Sequence, residues 1–380
     1  MVTERILNYQ ADIIEWTLAN FGLKVRIIGG IKGARLTEFH LLLAPGQRLN
    51  RLLPLADDIA LALGVASCHL SKGPGYVTLQ IPNSEFYPVK LSELMKKIAS
   101  SLPKELGEDT SLLTILGTKS DGENLLLNLA SPDCPHILIA SVSGGGKTCL
   151  TRSMIASLVR FNSVKLVLID PKVRGYSPFS GLYEKGYLAY PIITEPPIAA
   201  YVLREIVKEM ERRDEERLAP SELTPLLIFI DELVDLLLAD EKKEIGNSLI
   251  RISQRGRQSR IQLVLSTQKP SAKALGDSGL LRGNIPCRLV GKVVSAEDSK
   301  IATGQKQIGC EGLLGRGDFI AILGGRRERF QSAYIEDREI RDLVEGLPSF
   351  RERGKKGEPK SKKIISLASL KEAIRKRVNY

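Results

Sequence analysis

The stretch HILIASVSGGGKTCL, residues 136–150, runs from an apolar strand through a Ser/Gly turn into a helical pattern. Gly144-Gly145-Gly146-Lys147-Thr148 is the second half of the phosphate-loop pattern G-x-x-x-x-G-K-[ST]. Glycines there let backbone N–H groups converge on an anion at a helix N-terminus. Lys147 is placed to reach the β- and γ-phosphates of a nucleotide, and the Thr148 hydroxyl to hold Mg²⁺. The expected nucleotide-binding set is Ser143, Gly144, Gly145, Gly146, Lys147, Thr148 and Cys149. One position departs from the pattern, because Ser141 stands where its first glycine belongs. That place is the strand end, away from the anion nest, so a small serine fits unless its backbone needs a positive φ.

Around this loop the chain alternates short continuous apolar runs with helical patterns. The runs are HILIAS, VKLVLID, PLLIFID, IQLVLST, CRLVGKV and DFIAIL. Continuous apolar strands belong to a sheet buried on both faces, and alternation with helices predicts a parallel one, hence an α/β fold. LLIFIDE, residues 226–232, ends such a strand in two acids. Asp231 is expected to act on the metal through water, and Glu232 to polarise the attacking water. The next strand ends in VLSTQKPS, residues 264–271, which predicts Thr267 and Gln268 facing the γ-phosphate as a sensor.

Further motifs stand in order: LIDPK (168–172), EMERR (209–213), RISQRGRQSRIQLVLSTQKPS, NIPCRL (284–289), EDSK and LLGRGDF (313–319). With the phosphate loop and FIDELVDL, they make residues 115–340 resemble the FtsK/SpoIIIE family of hexameric double-stranded DNA translocases. Residues 1–105 resemble that family's small domain, which packs on the motor ring, through ADDIALALG and VTLQIPN. The resemblance implies a RecA-like P-loop NTPase core, ATP and Mg²⁺ as cofactors, duplex DNA as partner and a homo-oligomeric ring, by the family's habit a hexamer. It also implies an arginine that reaches the neighbour's site. Arg257 is the first choice for that trans role, with Arg251 and Arg255 as alternates. The segment KKEIGNSLIRISQRGRQSR reads as one helix, with Arg257 far round from the other two.

Three domains are expected: a small α+β domain over 1–110, the motor over 111–345, and a basic linker with a short amphipathic helix over 346–380. Residues 1–110 read as helix, a strand pair around Gly29, Gly30 and Gly33, a helix closed by Gly64, a strand GYVTLQIP and a third helix KLSELMKKIA. The polar segment SLPKELGEDTS separates them from the motor.

The net charge is +11 over 380 residues, yet residues 351–380 carry eleven Lys/Arg against three Glu, or +8. The body is nearly balanced, so any DNA site in it is local, while the tail is a candidate tether for DNA or for a recruiting protein. The chain lacks an apolar run long enough to span a membrane and a signal-peptide core, which predicts a cytoplasmic location. The 30-residue tail is too short for the family's winged-helix domain, so a soluble motor without that reader is expected. Five scattered cysteines without a C-x-x-C pair read as reduced thiols, and Cys134 with His136 lacks a second ligand pair for zinc. Two rival functions stay open. One is a protein-export motor of the same family, and the other a nucleotide-gated DNA-binding ring that does not translocate.

Overall fold

Helix Val2–Asn20 (α1) buries Ile14 and Leu18 at helical spacing against a four-stranded antiparallel sheet. That sheet is built from Val25–Lys32 (β1), Leu36–Leu43 (β2), His69–Lys72 (β3) and Val77–Pro82 (β4), in the order β1-β2-β4-β3. The computed structural model describes residues 2–73, 75–100, 112–217, 219, 222–270 and 280–353. The linker at 101–111 and the basic tail with its expected helix at 364–378 lie outside these residues.

Between β2 and β3 the expected single helix is three pieces: Leu49–Leu52 (α2), a 3₁₀ turn Leu53–Leu55, and Ala56–Leu63 (α3). Pro54 lacks the N–H that a continuous helix would use, which accounts for the break. Gly64 closes α3 at φ +67, its N–H donating to the carbonyls of Ala60 and Leu61. Strand β3 was not expected, because HLSK is short and mostly polar.

The rest of the chain follows with Leu91–Ser100 (α4), Leu113–Lys119 (β5), Asn124–Asn128 (β6), Ile137–Ala140 (β7), Lys147–Phe161 (α5) and Lys165–Ile169 (β8). Then come Pro196–Glu215 (α6), Leu226–Ile230 (β9), Leu233–Leu238 (α7), Glu244–Arg255 (α8) and Ile261–Thr267 (β10). Leu280–Gly283 (α9), Cys287–Val290 (β11), Ala296–Thr303 (α10), Asp318–Leu323 (β12), Arg326–Ser332 (β13), Asp337–Gly346 (α11) and Phe350–Arg353 (α12) complete it. The nine-stranded sheet has the order β6-β5-β13-β12-β11-β7-β10-β9-β8.

The parallel expectation holds for β11, β7, β10, β9 and β8, which are paired in parallel. It fails at DFIAIL, since β12 runs antiparallel to β11. The cause is local: Gly324 (φ +53) and Gly325 (φ +84) turn the chain tightly from β12 into β13, a hairpin signature within LGGRRERF.

The described chain divides into two compact units. The smaller takes residues up to Val89 together with Thr118–Leu125 and Arg329–Gln331; the larger takes the remainder. Helix α4 therefore belongs to the larger unit, whereas sequence had placed it with residues 1–110. Its start is tied there by the Leu91 N–H donating to the Tyr334 carbonyl at 2.9 Å. Among the described residues no helix is long and apolar enough to cross a membrane.

Candidate active site at the ends of the parallel strands

Strands β7, β10, β9 and β8 are register-matched neighbours, with Thr267 opposite Ala140, Leu265 opposite Ile230, and Ile230 opposite Ile169. Ser141, Gln268, Asp231 and Asp170 therefore leave the sheet at one edge, the carboxyl end where open parallel sheets place ligands. Sheet order interleaves the chain here, seating β10 between the phosphate-loop strand and the acid-bearing strand.

Gly144 (φ +73) and Gly146 (φ +106) adopt the left-handed backbone that glycine permits. Gly146 needs its bare Cα for a second reason: a Cβ there would lie 2.6 Å from the Gly317 nitrogen. The Gly317 N–H donates to the Gly145 carbonyl at 2.8 Å, so the LLGRGDF segment braces the loop from behind. Ser143 and Gly144 are exposed at the loop tip.

Ser141 is fully buried, and its φ is not positive. Its side chain occupies a slot left by two glycines. A Cβ on Gly145 would lie 1.7 Å from the Ser141 hydroxyl oxygen, and one on Gly291 would lie 2.9 Å from it. The substitution is thus matched by its surroundings. Ser141→Gly is expected to change ATP turnover by less than about fivefold while lowering stability by about 1 kcal/mol, the usual cost of an added glycine. Steady-state phosphate release and thermal melting check this; a hundredfold gain, about 2.7 kcal/mol of barrier, would mean the natural loop is impaired.

Lys147, the first residue of α5, folds back into the loop. Its Nζ donates to the carbonyls of Ser141 at 2.6 Å and Val142 at 3.3 Å. Burial pushes its pKa down to about 8, against the opposing pull of the Glu232 and Asp231 charges. A phosphate anion in the loop would offer this ammonium the counter-charge that two carbonyls do not.

Asp231 is raised to about 6, first by burial and then by the neighbouring Asp170 charge. Gly175 lies where these groups meet. A Cβ on it would lie 3.1 Å from Asp231 Oδ2, 3.4 Å from Thr148 Cγ2 and 3.5 Å from Asp170 Oδ2. The space kept open by Gly175 beside the Asp231 and Asp170 carboxylates suits Mg²⁺, and the Thr148 atom nearest it is the Cγ2 methyl carbon. That ion takes few protein ligands and completes its shell with water and phosphate oxygens. Among the described residues no cluster of three or more His, Cys, Asp or Glu could hold a metal by itself.

Glu232 is 4% exposed and has φ +63, a conformation costly for a side-chain-bearing residue. Its Oε1 accepts the Gln268 N–H at 3.1 Å, and its Oε2 lies 3.4 Å from Lys172 Nζ. Gln268 thus reaches the site through its backbone, and its half-buried side chain leaves the sensor role as an expectation. Cys149 is half-buried, and burial raises its thiol pKa despite Arg152 nearby, which disfavours the thiolate that a helix start would promote. His136 accepts the Leu263 N–H on Nδ1 at 3.1 Å, and burial pushes it down to about 4.

Arg257 is not on a helix. Helix α8 stops at Arg255, and Gly256 lies so close to the chain that a Cβ would meet the Ile261 carbonyl at 2.3 Å. Residues 256–260 form a turn held by α6: Arg213 donates to the Ser259 carbonyl at 2.7 Å, and the Ser259 hydroxyl to Asp214 at 2.5 Å. Arg251 pairs with Glu211, and Arg255 with Asp214 at 2.7 Å. Arg257 is exposed and has neither ion pair nor side-chain hydrogen bond among the described residues.

Two family models match this chain, FtsK/SpoIIIE over residues 100–221 and the FtsK alpha domain over residues 2–83, together more than half of its length. The chain belongs to the FtsK/SpoIIIE family. Its relatives include the DNA translocase FtsK of Tropheryma whipplei, 34% identical over 87% of this chain and 47% of that protein. FtsK of Caldanaerobacter subterraneus is 32% identical over 91% and 50%, and DNA translocase SpoIIIE of Bacillus subtilis 29% over 87% and 44%. The chain spans about half the length of these curated FtsK/SpoIIIE relatives. Its fold resembles that of the pCW3 conjugation coupling protein TcpA, solved with ATPγS (TM-score 0.57, 17% identity, 89% of this chain and 99% of that one). It also resembles the Type VII secretion ATPase EccC of Thermomonospora curvata (TM-score 0.56, 22% identity, 72% and 35%).

Within LIDPK and FIDELVDL no local pattern assigns roles to Asp170, Lys172 or Asp235. Adjacent parallel strands bring them to the candidate site.

Proposed function

We propose that this chain is an ATP-hydrolysing motor that assembles as a ring and moves along double-stranded DNA. The observation that carries the proposal is the convergence of Lys147, Thr148, Asp231 and Glu232 at one edge of the parallel strands, with glycines 144–146 shaped as an anion nest. In this reading the loop 143–149 binds the triphosphate, and Lys147 exchanges its two carbonyl partners for phosphate oxygens. Thr148 and Asp231 hold Mg²⁺, which neutralises charge on the phosphates. Glu232 orients and polarises the attacking water, Gln268 stands opposite the γ-phosphate, and Arg257 serves a neighbouring subunit.

DNA enters this reading from the relatives, which are DNA translocases by name. A hexameric ring, a cytoplasmic location and a tail that binds DNA or a recruiting protein belong to the same proposal. The test is ATP turnover with and without long duplex DNA, paired with displacement of a triplex-forming strand. DNA-stimulated turnover with strand displacement is expected. Turnover indifferent to DNA but stimulated by a secretion-signal peptide would replace the proposal with a protein-export motor. Nucleotide binding without turnover would leave only a gated ring.

A further inference from the structure

Among the described residues Lys172 is the one cation paired directly with Glu232, and the loop presenting it is tightly built. The Asp170 carboxylate accepts N–H groups of Lys172 at 3.2 Å, Gly175 at 2.8 Å and Tyr176 at 3.0 Å, folding residues 170–176 around itself. Arg152 fastens the same loop, donating to the carbonyls of Gly175 at 2.6 Å and Arg174 at 2.9 Å. From this support Lys172 Nζ reaches 3.4 Å from Glu232 Oε2 and 3.1 Å from Asp235 Oδ2. Since Glu232 Oε1 already accepts the Gln268 N–H, each oxygen of the carboxylate has a protein partner.

A general base must present an oxygen to water at about 2.6–3.2 Å, and an ammonium on that oxygen competes for the lone pairs. The two acids differ in setting. The Glu232 side chain is 5% exposed, whereas that of Asp235, in the first turn of α7, is 49% exposed. Lys172 itself is 43% exposed, so the pair can open without a buried cation being stranded.

We propose that Lys172 is a positioning residue that restrains Glu232 in the resting chain, and that Asp235 weakens this restraint by sharing the ammonium. The inference rests on the ATPase reading above and adds the element that sets its DNA-independent rate. Turnover proceeds from the state in which Lys172 has left Glu232 for Asp235.

The test uses the full chain and two substitutions of opposite expected sign. Lys172→Met is expected to raise DNA-free ATP turnover about two- to fivefold, the effect of losing one partly exposed ion pair, and to lower the stimulation by duplex DNA by the same factor. Asp235→Asn, which leaves the ammonium to Glu232 alone, is expected to lower DNA-free turnover. Lys172→Arg is expected to return it to the parental range. Titration with a fluorescent ATP analogue is expected to give parental affinity for all three. A structural role would move both substitutions the same way, and that outcome overturns the proposal, as does no change in either. Loss of turnover in Lys172→Met with and without DNA, at parental nucleotide affinity, would make the lysine a direct participant instead of a restraint. Absence of turnover in the parent chain is a separate result that sinks the ATPase reading and this inference together.

Discussion

Glu232→Gln is expected to bind ATP as the parent does and to lose turnover by about 10²–10⁴-fold, the range that a positioned general base supplies. The substitution changes little besides charge and basicity. The amide oxygen can still accept the Gln268 N–H that now reaches Oε1 at 3.1 Å, so the strained backbone at φ +63 keeps its tie to β10. In the proposed reading Asp231 serves the metal and Lys147 the phosphates, and neither is touched, so binding should survive. What disappears is the carboxylate proposed to polarise water. Nucleotide affinity by fluorescence titration, beside DNA-stimulated phosphate release, separates the two. Near-parental release would remove Glu232 from the proposed role, and weakened affinity with a lowered melting temperature would mean that it is structural.

The parts of this site that lie on one short stretch were legible in the sequence. The phosphate loop and the Asp231-Glu232 strand end each carry their chemistry within about eight residues, where glycine conformation and apolar continuity leave local marks. The parallel core strands were legible for the same reason. What escaped depends on which strands become neighbours. Lys172 meets Glu232 because β8 lies beside β9, and the Gln268 N–H meets it because β10 lies on the other side of β9. No local pattern states that order. DFIAIL is an apolar run that looks alike in both senses, so its antiparallel pairing is signalled only by the Gly324-Gly325 turn after it. A helical pattern running to Arg260 is interrupted at Gly256, whose close approach to Ile252 and Ile261 ends α8 and places Arg257 on a turn.

Arg257→Ala is expected to bind ATP normally and to lose turnover by about 10³-fold or more, the effect of removing a cation that stabilises the transferring phosphoryl group. Arg251 and Arg255 are held within the subunit by Glu211 and Asp214, whereas Arg257 is exposed on a turn pinned by Arg213 and Asp214. A cation without an ion-pair partner among the described residues, on a turn hydrogen-bonded to α6, is what a neighbouring subunit could use. The decisive measurement mixes Arg257→Ala with Glu232→Gln subunits, each inactive alone. In a head-to-tail ring with random mixing, about a quarter of the interfaces join an intact Glu232 to an intact Arg257. Turnover should therefore reappear on mixing if Arg257 acts across the interface. A role within its own subunit predicts a different result, because every site would then lack one group and the mixture would stay as inactive as its parts. Arg257→Ala hydrolysing ATP at the parental rate would move the search to Arg251 and Arg255, whose ion pairs would then have to break on assembly.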